Sequence, residues 1–80
     1  MTIQKNKTIA IIGMGFMGGS LGAILLRKKL CKNVVGIGRN VKKLKIALKK
    51  KAATFVTTDL IKGVQNADIV IIALPVNLIP

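Results

Sequence analysis

At 80 residues the chain is the size of a short single domain or of part of one, and its net charge of +12 attracts polyanions. It is 51% hydrophobic, which excludes a disordered chain, and the apolar mass is aliphatic, with Phe16 and Phe55 the only aromatic residues. One cysteine and no histidine exclude an internal disulfide and any zinc-finger spacing.

Thr8–Ile12 (TIAII) is a short β-branched run ending at glycine, and it predicts a buried first strand. Phe16 or Met17 to about Leu30 predicts a helix with an inward stripe of Met17, Leu21, Ile24 and Leu25. Arg27, Lys28 and Lys29 fall in its last turns, where cations favour the helix dipole. Cys31 reads as a small apolar residue near that helix end, and Asn33 marks the turn out. Val34–Ile37 (VVGI) is the second strand. Val41 to about Lys51 is a second helix, with Val41, Leu44, Ala47 and Leu48 inward and a solvated lysine face outward. Thr54–Thr57 is a short third strand, and Thr58 or Asp59 caps a short helix through Gln65 with Leu60, Ile61 and Val64 inward. Ile69–Leu74 (IVIIAL) is an apolar fourth strand that Pro75 ends.

Ile9 to Leu26 is 18 residues without a charge, flanked by lysine and arginine, and it also fits a membrane anchor. It even carries small-xxx-small spacings at Gly15/Gly19 and Gly18/Gly22. The crowding of Gly13, Gly15, Gly18 and Gly19 decides against a spanning helix, because those glycines would weaken it. The strand–helix alternation that follows decides the same way. No membrane partner is expected. Nucleic acid is not expected either, since stacking aromatics are missing and the cations, mostly lysine, are spread along the sequence from Lys5 to Lys62. They read as a solvated surface with some benefit for a phosphate-bearing ligand.

The order β-α-β-α-β-α-β with short connections predicts an α/β fold, a doubly wound parallel sheet of the Rossmann type. About four strands and three helices are present where such a fold has about six strands. Residues 1–80 are therefore expected to be the N-terminal part of a dinucleotide-binding domain, with the rest of that domain lying beyond them. The motif Gly13-Met14-Gly15-Phe16-Met17-Gly18 follows a strand and opens a helix, the context that gives GxGxxG its meaning. Gly13 allows the tight turn, Gly15 the approach of the pyrophosphate, and Gly18 the close packing of helix on strand. Ser20 either donates to the ligand or caps locally. No lysine follows the glycines as in the phosphate loop of ATP-hydrolysing proteins. About 20 residues on, NAD sites usually carry an acid. This chain has Gly38-Arg39-Asn40, and an arginine fork there grips a 2′-phosphate. NADP is thus the expected cofactor, with Lys42 and Lys43 nearby; an Arg39 stacked on adenine would accept NAD as well. Ala73, Leu74, Pro75 and Val76 stand at the end of the fourth strand and are expected to line the cofactor by backbone and apolar contact. Asp68 and Asp59 read as structural. No catalytic residue and no metal ligand set is expected in the chain.

The strings GMGFMGGSL, VVGIGRN, TTDL and ADIVIIALPV together resemble the start of prephenate and arogenate dehydrogenases. The likeness runs over nearly the whole chain, and the Gly-Gly-Ser-Leu extension and Leu-Pro-Val ending are its more specific parts. 6-Phosphogluconate and 3-hydroxyisobutyrate dehydrogenases are similar through Gly-Phe-Met-Gly and the arginine after strand two; pyrroline-5-carboxylate reductase is a weaker relative. The resemblance implies a cytoplasmic enzyme of tyrosine biosynthesis that oxidatively decarboxylates prephenate or arogenate, passing a hydride to NAD(P) while a histidine beyond this chain assists removal of the hydroxyl proton. It implies cofactor contacts at Gly13, Gly15, Phe16, Met17, Gly18, Gly38, Arg39, Asn40, Leu74, Pro75 and Val76, and a homodimer formed by a later substrate and dimerisation domain. The departure from family members with an acid at position 38 points to NADP. Two other readings stay open: another dehydrogenase of similar architecture, and a nucleotide-sensing module without enzymatic activity.

Overall fold

The alternation closes into one parallel sheet in the computed structural model, which describes residues 6–13 and 16–73. The elements are β1 (Thr8–Ile12), α1 (Phe16–Arg27), β2 (Asn33–Ile37), α2 (Val41–Lys49), β3 (Phe55–Thr57), α3 (Leu60–Gln65) and β4 (Ile69–Ile72). The strand order is β3-β2-β1-β4, all parallel. The chain winds outward from β1 through β2 to β3, then crosses back to place β4 on the other side of β1. This is the reversal of direction that opens a crevice at the strand ends of a doubly wound sheet.

Register assigns the faces, because level partners in a parallel pair point the same way. Ile9 is level with Val34 and Ile69, and Ile11 with Gly36 and Ile71. These residues face α1 and α2, and Ile9, Ile11 and Val34 are completely buried there with Leu25, Leu44 and Ala47. Ala10, Ile12, Val35 and Ile37 face the opposite side, where α3 lies on Ile37 and Thr57 through Gly63. Each of the fully buried large aliphatic side chains, Ile9, Ile11 and Val34, stabilises the sheet by about 1.5–3 kcal/mol.

Helix packing departs from the sequence expectation in one consistent way. Ile24 is 41% exposed in α1, Val41 and Leu48 are exposed in α2, and Leu60 and Ile61 are exposed in α3. Leu25, Leu44 and Ala47 are buried as expected, and beside them Gly18, Gly22 and Gly63 make close contacts that the apolar stripes do not single out. A helix seated on its smallest side chains lies closer to the sheet, and its large neighbours are turned to the flanks.

Boundaries shift for local reasons. α1 ends at Arg27 rather than near Leu30, because Lys29 takes a left-handed φ of 55° and Leu30 N–H reaches back to the Leu25 carbonyl. α2 ends the same way, with Lys51 at φ 58° and Ala52 N–H donating to the Ala47 carbonyl. Asn33 opens β2 rather than closing a turn, and Thr54 stands before β3, its hydroxyl donating to the Val34 carbonyl and accepting from Val34 N–H, both at 3.0 Å. Asp68 ties β4 to β1: its carboxylate accepts Thr8 N–H at 2.8 Å, with Lys7 at 4.0 Å. Among the described residues no helix is long and apolar enough to cross a membrane. The uncharged stretch contains β1 and most of α1 as separate elements.

Candidate dinucleotide site

Three strands end level, since Ile12 is paired with both Ile37 and Ile72. The ladder runs one residue past each end. Gly13 N–H donates to the Ile37 carbonyl at 2.8 Å, Ala73 N–H to Ile12 at 2.8 Å, and Gly38 N–H to Thr57 at 3.3 Å. Gly13, Gly38 and Ala73 therefore form one continuous rim along the carboxyl edge of the sheet.

Gly13 turns the chain off this rim with φ 95°, a conformation side chains disfavour. Gly18, one turn into α1, is buried, and a Cβ there would run into the Gly13 carbonyl and press to 3.2 Å on Ile11 Cγ2. The absence of that one carbon lets the start of α1 close down on the end of β1. The first turn of α1 holds no acidic residue, so the positive end of the helix is unneutralised beside the rim. Free N–H groups and partial positive charge at such a place suit a phosphate. Gly22, a turn further on, packs in the same manner against the Ala52 carbonyl. The Gly18/Gly22 spacing that also fits membrane helix pairing serves here to seat α1 on its own domain.

Arg39 follows the rim glycine Gly38 and is exposed, as are Lys42 and Lys43 in the first turn of α2. Asn40 is the N-cap of α2: its Oδ1 accepts Lys43 N–H at 3.2 Å. Its side-chain oxygen is thus engaged by the helix start, a structural role beside any contact with a ligand. At the end of β3 the Thr57 hydroxyl accepts Asp59 N–H at 3.0 Å and Asp59 caps α3 by accepting Lys62 N–H at 3.1 Å. Thr57 opens the TTDL string, but its place at the rim beside Gly38 comes from the strand register. Gly15, Leu74, Pro75 and Val76, and the side chains of Phe16 and Met17, lie outside the described residues.

Of the named positions, the structure gathers Gly13, Gly18, Gly38, Arg39 and Asn40 at one edge. Cys31 is buried at the opposite edge, and burial pushes its thiol pKa up. A groove of about 410 Å3 lies under α3, lined among others by Asn33, Phe55 and Lys62, and includes none of the rim glycines. No group of His, Cys, Asp and Glu that could hold a metal occurs among the described residues.

The rim, the glycine-seated helix start and the strand order fit a nicotinamide dinucleotide as a bound group. The family model described as NADP oxidoreductase, coenzyme F420-dependent, matches residues 8–80. No curated protein matches the chain. The match takes in every element from β1 to β4, and with it the chain belongs to the NADP oxidoreductase, coenzyme F420-dependent family, as an NAD(P)-binding oxidoreductase domain.

Proposed function

We propose that residues 1–80 form the N-terminal, cofactor-binding part of a prephenate or arogenate dehydrogenase that prefers NADP to NAD. The observation that carries the cofactor choice is the edge after β2. It presents the exposed Arg39 guanidinium beside Gly38, and the segment Gly38-Arg39-Asn40 itself carries no carboxylate where NAD sites usually have one. The bound nicotinamide supplies the acceptor for a hydride. The chain's own part is binding and orientation: α1's first turn takes the pyrophosphate, Gly13 and Gly18 bring that turn to the rim, and Arg39 holds the ribose phosphate.

Proton transfer is not among its tasks. Asp59 and Asp68 are both engaged in structural hydrogen bonds, and there is no histidine. In this reading the groups that act on substrate follow residue 80, and the 80-residue chain binds cofactor without turnover. The substrate class rests on the Gly19-Ser20-Leu21, Thr57–Leu60 and Leu74-Pro75-Val76 strings. The family match favours a second reading, hydride exchange between NADP and coenzyme F420, through the same rim.

Parallel titrations with NADP+ and NAD+ test the cofactor choice. NADP+ is expected to bind more tightly, and Arg39→Ala to weaken it about 10- to 100-fold, the worth of a charge-assisted contact, while leaving NAD+ nearly unchanged. Tighter NAD+ binding that Arg39→Ala does not alter contradicts the assignment. Assay of the complete gene product separates the two substrate readings: NADP-dependent loss of CO2 from prephenate or arogenate supports the first, and reduction of coenzyme F420 the second.

A further inference from the structure

Lysines scattered along the sequence are not scattered in space. α1 and α2 each deliver the chain back to the start of the next strand, so their last turns lie at the amino edge of the sheet, opposite the rim. α1 ends in Arg27, Lys28 and Lys29, with Lys32 following. α2 ends in Lys49, Lys50 and Lys51. Lys7 joins them at the start of β1, where its carbonyl accepts Lys32 N–H at 2.8 Å. Eight of the thirteen cations among the described residues thus share one edge. Asp68, 4.0 Å from Lys7, is the only acid among the described residues at that edge, since Asp59 caps α3 at the other.

Two further observations bear on what meets this edge. Lys29 and Lys51 close their helices in the left-handed region, where glycine is the unstrained residue, so both turns project a charge at a backbone cost. The apolar residues of the same loops are turned inward: Cys31, Ala52 and Ala53 are buried and Leu30 half-buried. These loops offer cations with no exposed apolar side chain to enter a bilayer, and Phe55, 62% exposed at the start of β3, is a single ring where single-strand binding stacks successive bases on several.

We propose that this amino edge is an electrostatic docking surface for the phosphate backbone of a nucleic-acid duplex, independent of base sequence and separate from the dinucleotide rim. Backbone contacts of this kind need only a set of cations spaced over a surface and show steep salt dependence. The surface does not depend on the dehydrogenase reading, because it lies at the other end of the strands.

The test is binding of a fluorescent DNA duplex to the 80-residue chain, followed by anisotropy from about 0.05 to about 0.2 M salt. Lys29→Gly/Lys51→Gly removes two edge charges while relieving both backbones, so weaker binding cannot be put down to a damaged fold. It is expected to bind more than about tenfold more weakly at the low-salt end and to lower the salt slope by about two. Lys28→Gln/Lys50→Gln, which leaves the left-handed positions alone, is expected to do the same. Lys42→Gln/Lys43→Gln, with the same loss of net charge at the rim, stays within about threefold of the parent. Saturating NADP+ leaves duplex binding intact. Equal losses in edge and rim variants, displacement of the duplex by NADP+, or tighter capture by phosphatidylserine vesicles than by the duplex would each overturn the proposal.

Discussion

Single atoms decide the site. At Gly18 there is no room for a methyl group between α1 and the Gly13 carbonyl, so the two glycines act as one feature although they are five positions apart in the chain. Gly18→Ala is expected to lose about 1–3 kcal/mol of stability in urea unfolding, the usual cost of overpacking, as α1 is pushed off the end of β1. Dinucleotide binding should fall further than the stability loss explains, because the displaced helix start no longer aims its N–H groups at the rim. Unchanged stability with unchanged binding would show that α1 tolerates the added carbon. Arg39 is the opposite kind of residue, exposed and structurally idle among the described contacts. Its substitution is expected to alter cofactor choice and leave stability alone.

At the scale of elements, helix ends carry information that propensity alone does not. Lys29 and Lys51 terminate α1 and α2 with the same pair of backward hydrogen bonds, from N–H of the left-handed lysine and of the next residue. Glycine substitution at either position is expected to stabilise the domain by about 1 kcal/mol in thermal or urea unfolding, since it removes the clash of Cβ with the carbonyl. A loss of stability would mean that the lysine stems contribute more than the strain removes. The sequence made these elements legible through strand runs bounded by glycine and through Asp59, a cap recognisable as such. It made their inward faces legible only in part: Leu25, Leu44 and Ala47 are buried as their spacing predicts. An apolar stripe weights large residues, whereas Ile24, Val41 and Ile61 are turned outward by helices that sit on glycine and alanine. The rim shows the same division: Gly13, Gly18 and Gly38 stand out in the sequence because glycine spacing is a local signal. Thr57 stands out only as the start of the TTDL string, and its place at the rim comes from pairing between strands.

The whole molecule is polar in charge, with the dinucleotide rim at one end of the strands and most described cations at the other. Close packing of like charges at the amino edge costs stability that salt should restore. Raising NaCl from about 0.01 to about 1 M shortens the screening length from about 30 to about 3 Å. The melting temperature is expected to rise by about 5 °C or more, the response of a domain of this size to about 1 kcal/mol of relieved repulsion. A falling melting temperature would mean that attractive pairs outweigh the repulsion. The central claim, however, is that the carboxyl edge holds a nicotinamide dinucleotide, and amide NMR of the labelled chain tests it most directly. Addition of NADP+ is predicted to shift the amides of Gly13, Gly18, Gly38 and Arg39 together, saturating at a single affinity, while Lys29, Lys32 and Lys51 stay in place. Shifts confined to the amino edge, or to the groove beneath α3, would contradict it.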